Sequence, residues 1–118
     1  MPRKEQQVPL IFDKDTLLVK KVYTFNKGSY EIDTSFQILN KSQKNITPTA
    51  YFQHIHDGES NQGSAFMPTF TGTAYYTNTD NFQKISFDDV ESTAFNLDAN
   101  NGWIGIIQQY FASSWILP

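Results

Sequence analysis

The chain has 118 residues, enough for one domain with a modest core. Aromatics make up 15%, including ten Phe and six Tyr, which argues against a disordered chain. The net charge of −3 leaves no basic stripe for nucleic acid, and the absence of cysteine excludes disulfides, thiolate metal sites and a Cys nucleophile together. No window reaches the roughly 18 apolar residues of a membrane-spanning helix. The opening MPRKEQQVPLIF has charge but no long apolar core, so neither a signal peptide nor an anchor is expected as the sequence is written.

In chain order, short strands alternate with turn clusters. Val8 to Phe12 is an apolar run closed by the polar turn Asp13-Lys14-Asp15. Leu17 to Phe25 is a second strand, and Asn26-Lys27-Gly28-Ser29 is a hairpin signal with Gly28 free to take a positive φ. From Tyr30 to Ile38, apolar and polar residues alternate, which predicts one face on a core and one in water. After the turn NKSQKN at Asn40 to Asn45, a strand is predicted over Thr49 to Ile55, with Pro48 keeping its start irregular. Asp57 to Ser64 reads as a loop, Thr69 to Tyr76 as a strand with Gly72 at a bulge or close approach, and Asn78 to Asn81 as a turn. Two short strands, Ile85 to Phe87 and Phe95 to Leu97, flank an acidic bend at Asp88-Asp89-Val90-Glu91. No helix is predicted before residue 103. This spacing predicts an all-β chain, a sandwich folded as a single domain over residues 1–118.

The closing run, GWIGIIQQYFASSWILP from Gly102 to Pro118, is ambiguous by periodicity. Trp103, Ile106, Ile107, Tyr110, Phe111, Ser114 and Trp115 follow a helical count, whereas the Ile and aromatic content, Gly105 and the final proline favour a strand.

Chemistry is sparse. His54 and His56 in HIHDGE fall on one side of an extended chain, beside Asp57 and Glu59, so a metal site can be drawn. A polar strand end running into a loop accounts for the same residues, and no metal or cofactor is expected. Asp88, Asp89 and Glu91 could pair as acid and base, but consecutive carboxylates on an extended chain diverge and read as a solvated bend. The aromatics Phe66, Phe70, Tyr75, Tyr76, Phe82, Phe87 and Phe95 could line a sugar-binding face, although aromatics at strand spacing more often form core. No phosphate loop, dinucleotide fingerprint or nucleophile motif is present, so no catalytic residue is assigned.

Three stretches carry a resemblance: FTGTAYYT at Phe70 to Thr77, FQKISFD at Phe82 to Asp88, and the closing run. Together they resemble the large periplasmic domain of the YidC-type membrane protein insertases of Gram-negative bacteria. The Leu17 to Asn40 hairpin and Val8-Pro9-Leu10 fit as well. Leu117, inserted between Ile116 and Pro118, and the loop of His54 and His56 depart from the family pattern. The signature positions are Phe70, Gly72, Tyr75, Gly102, Trp103, Gln108, Gln109, Tyr110, Phe111 and Trp115. The resemblance implies a partial, twisted β-super-sandwich akin to the sugar-mutarotase-like sandwiches. It implies a non-enzymatic accessory region at the periplasmic face of the inner membrane, with Sec translocase accessory subunits and nascent membrane proteins as partners of the full-length protein. It also implies that Trp103 to Ile116 is a central, two-sided core strand. In that strand Trp103, Ile107, Phe111 and Trp115 would share one face, and Gln108 and Gln109 would need buried partners. A segment lacking flanking strands is expected to self-associate through open edges and apolar faces.

Overall fold

The computed structural model describes residues 5–59 and 65–117, and residues 60–64 of the expected Asp57–Ser64 loop lie outside them. The all-β expectation holds: among the described residues, seven strands form two antiparallel sheets, with one short helix. The chain divides into two compact units, residues 1–49 and 50–118.

The first unit is a three-stranded sheet of β1 (Glu5–Lys14), β2 (Leu17–Asn26) and β3 (Ile32–Asn40), in the order β1-β2-β3. The Asn26 to Ser29 hairpin forms as expected, with Gly28 at φ +83° and the Ser29 amide donating to the Asn26 carbonyl at 3.1 Å. The first turn is tighter than predicted. Asp13 and Lys14 continue the ladder opposite Leu18 and Leu17, so the reversal falls to Asp15 and Thr16. Beyond β3, the Asn40 side chain accepts from the Ser42 amide at 2.9 Å and donates to the Lys44 carbonyl at 2.7 Å, which organises the polar turn.

Register puts Val8, Leu10 and Phe12 on one face with Val19, Tyr23, Phe36 and Ile38. Lys21 sits in their midst, its ammonium 4.9 Å from the Tyr23 ring centre and 5.5 Å from that of Phe36. The alternation predicted over Tyr30 to Ile38 is real, but the buried face is not. Every residue of β3 except the half-buried Thr34 is exposed, and Val22 is this unit's one buried core residue among those described. A lone three-stranded layer gives each side chain only in-plane neighbours, so alternation sorts the faces without covering either.

The second unit holds a four-stranded sheet of β4 (Gly72–Thr77), β5 (Asn81–Ile85), β6 (Gly102–Ile107) and β7 (Ala112–Leu117), in the order β5-β4-β6-β7. Its centre is built from small side chains. Ala74 is 0% exposed, Gly72 and Gly105 are buried, and Tyr75 and Thr77 complete the core. A side chain at Gly72 would press on the Phe70 ring at 2.6 Å and the Ile85 carbonyl at 2.9 Å, so the predicted close approach is what fixes glycine there. Gly102 is more demanding: its φ is +115°, and a Cβ would stand 1.9 Å from the Tyr76 carbonyl oxygen.

Five expectations fail in this unit. The strand expected over Ile85 to Phe87 is displaced, since β5 ends at Ile85 and Phe87 opens a helix. The strand expected over Thr49 to Ile55 does not form: these residues join no ladder, and Phe52 and His54 pack on Trp115. The acidic bend is a helix, α1 (Phe87–Ser92). Ser86 caps it, its hydroxyl accepting from the Asp89 amide at 3.1 Å, and Asp88 and Asp89 lie in the first turn where the helix dipole favours them. Phe95 to Leu97 forms no strand either, and the Phe95 ring packs against Tyr75 at 5.1 Å. The closing run is extended, as the family likeness implied, but it is a hairpin and not one long strand. Gln108 to Phe111 make the turn, closed by the Gln108 amide donating to the Phe111 carbonyl at 2.7 Å.

Candidate functional site

Register assigns the faces of the four-stranded sheet. Gln83, Tyr75, Ile104 and Trp115 form one row across it, and Tyr76, Trp103 and Ile116 lie on the opposite face. Trp103 and Trp115 therefore face opposite ways, against the shared face expected of them. The cause is the turn, which folds the run back on itself and sets Trp103 opposite Ile116. Tyr75 and Tyr76 diverge likewise, so the strand aromatics are divided between the faces: Tyr76 shares its face with Phe82 and Trp103, whose ring centres are 5.9 Å apart.

On the Tyr75 and Trp115 face, residues 50–56 form a strap held against Trp115 of β7. Phe52 and His54 lean on Trp115, with ring centres 4.7 and 5.7 Å away, and the Trp115 indole donates to the Gln53 carbonyl at 3.4 Å. At its far end His56 stacks on Phe87 of α1 at 4.8 Å. Its Nε2 is 2.5 Å from the Gln108 side-chain amide, and its Nδ1 receives the Gly58 amide at 3.1 Å. Asp57 Oδ1 lies 3.1 Å from the same Nδ1. An open hollow of about 390 Å³ is lined by Tyr75, Gln83, Lys84, Asp89 and Phe95, among others.

The drawn metal set of His54, His56 and Asp57, with Glu59, is not assembled: among the described residues no three His, Cys, Asp or Glu side chains are grouped to hold an ion. His54 packs on Trp115 and its Nε2 is buried without a hydrogen-bond partner, while both His56 nitrogens are taken by Gly58 and Gln108. In the acidic group, Asp89 accepts from the Ser86 hydroxyl at 2.6 Å and serves the helix cap.

The signature residues separate into two roles. Gly72, Tyr75, Gly102, Trp103 and Trp115 position strands and their packing, and Phe70 lies under the Lys84 ammonium at 5.0 Å. Gln108, Gln109, Tyr110 and Phe111 are exposed turn residues, so the two glutamines are not buried as expected. Gln108 meets His56, and Gln109 donates to the Tyr110 hydroxyl at 3.0 Å. Sequence reading overlooked the strap anchor Phe52 and the cap at Ser86. The cap was readable in Ser86-Phe87-Asp88-Asp89, a hydroxyl followed three residues later by a carboxylate.

These features define a chain built almost wholly of strands, whose described side chains make packing and turn contacts. The profile of the YidC periplasmic domain matches residues 2–118, and the chain belongs to that family. It is 48% identical over 98 residues to the membrane protein insertase YidC of Methylobacillus flagellatus, covering 83% of this chain and 18% of that protein. It is 40% identical over 114 residues to the Histophilus somni (strain 2336) protein of the same name, covering 97% and 21% respectively. A Laribacter hongkongensis insertase is 44% identical over 102 residues, covering 84% and 18%. The chain thus spans about a fifth of the length of the curated relatives it matches.

Proposed function

We propose that this chain is a non-catalytic interaction region on the periplasmic face of the bacterial inner membrane, one segment of the large periplasmic domain of a membrane protein insertase. In this reading the longer protein assists insertion and folding of inner-membrane proteins, alone or with the Sec translocase. Residues 1–118 supply surface for accessory subunits of that translocase or for emerging substrates. The observation that carries it is the family match over residues 2–118, joined to relatives whose name is membrane protein insertase. The exposed Tyr110 and Phe111 at the β6–β7 turn supply the kind of aromatic contact surface that partners use.

The test is photo-crosslinking in cells. A full-length insertase containing this segment carries a photoreactive residue at Tyr110, Phe111 or Ile11 in turn. Adducts with Sec accessory subunits or nascent chains are the expected result. An absence of both at all three positions, with insertion intact, counts against the interaction role.

A further inference from the structure

His56 has two neighbours that cannot both be served by one uncharged ring. The Gly58 backbone amide can only donate, so at 3.1 Å it requires a bare Nδ1. A neutral imidazole with a bare Nδ1 carries its hydrogen on Nε2 and must donate there. The Gln108 group 2.5 Å from Nε2 then has to be the amide oxygen, which a half-turn of that amide supplies. Asp57 Oδ1, 3.1 Å from Nδ1, gains nothing from a bare nitrogen and accepts instead from the Glu59 amide at 3.0 Å. A second proton reverses this preference. It would sit on Nδ1, where it repels the Gly58 N–H and meets the Asp57 carboxylate.

We propose that His56 is a proton-operated latch at the corner between the strap and the β6–β7 turn, exchanging the Gly58 amide for the Asp57 carboxylate when its ring becomes charged. The Nε2–H bond to Gln108 and the stack on Phe87 persist in both states, so the ring stays in place while the corner behind it changes. The other ionisable groups on the packed elements are Tyr51, His54, Asp57 and Glu59 on the same segment, Asp88, Asp89 and Glu91 on α1, and Tyr110 in the turn. The carboxylates among them accommodate a cation. Gly58, at φ +81° with open space around it, is free to swing once its amide is released. His54 is no equivalent, since its Nε2 makes no hydrogen bond.

The experiment uses the 118-residue chain labelled with nitrogen-15. At pH 8, long-range proton–nitrogen correlation is expected to show His56 with a bare Nδ1 and a protonated Nε2. The opposite tautomer overturns the proposal without any variant being made. On lowering the pH to 5, the Gly58 amide resonance is expected to move with the His56 titration. Its exchange protection, corrected for intrinsic rate, should fall about five- to tenfold, the loss of one hydrogen bond. The response should vanish in His56→Gln and persist in His54→Gln. A Gly58 amide indifferent to His56 protonation overturns the latch.

Discussion

Replacing Gly102 by Ala confronts the fold with two separate costs. The φ of +115° disfavours any L side chain, and the new methyl would stand 1.9 Å from the Tyr76 carbonyl oxygen, backbone that cannot rotate aside. Gly58 isolates the first cost, since its φ is +81° and nothing lies within 4 Å of a Cβ there. The left-handed penalty is about 1–2 kcal/mol, and overpacking against a fixed neighbour adds about 1–3 kcal/mol. Gly58→Ala should therefore cost about 1–2 kcal/mol, and Gly102→Ala about 2–5 kcal/mol. Both tryptophans, Trp103 and Trp115, belong to residues 50–118, so fluorescence during urea unfolding reports this unit alone. With a slope near 1 kcal/mol per molar urea, the Gly102→Ala midpoint should lie at least about 1 M below that of Gly58→Ala. Equal midpoints would refute the steric argument.

Trp115→Ala should cost about 2–3 kcal/mol, under the value for a fully buried tryptophan, by freeing the strap at Phe52 and His54; Trp115→Phe should recover most of it in the same melt. Ser86→Ala removes the α1 cap and should cost about 1 kcal/mol, with loss of exchange protection at the Asp89 amide as the specific sign. Chelator treatment, or added zinc, should leave the melting temperature unchanged; a rise with zinc that His54→Ala abolishes would restore the metal reading. Exposed Val8, Leu10, Phe12 and Ile38 on one face of the three-stranded sheet should drive self-association, and Leu10→Lys should shift sedimentation toward monomer. Concentration-independent monomer for the unaltered chain would contradict that.

Strand identity was readable wherever local chemistry sufficed. Leu17 to Phe25 and the Gly28 hairpin came from β-branched residues beside a turn, and the run FTGTAYYT from aromatics around a glycine. Errors arose where a neighbour in space decided the outcome. The Thr49 to Ile55 pattern is strand-like, yet Phe52 and His54 pack on Trp115; the helix at the acidic bend is a different case, since its Ser86 cap is a local signal. The closing run could be assigned as extended from its family likeness, but its reversal at Gln108 to Phe111 has no glycine or proline to mark it. The His56 cluster was only half visible: sequence brought Asp57 and Gly58 near it, whereas Phe87 and Gln108 arrive through topology.

The strand order β5-β4-β6-β7 has a kinetic consequence. Each half of the sheet, β4 with β5 and β6 with β7, is a hairpin between neighbours in sequence, whereas β4 reaches β6 only after the intervening chain has closed into a loop. Local hairpins form on a microsecond scale, and non-local pairing bears the loop-closure entropy. The β4–β6 seam is then the rate-limiting junction, a hypothesis motivated by Gly102 meeting the Tyr76 backbone at that seam. If it holds, Gly102→Ala slows refolding more than it speeds unfolding in stopped-flow traces. A change confined to the unfolding limb would place the seam after the barrier.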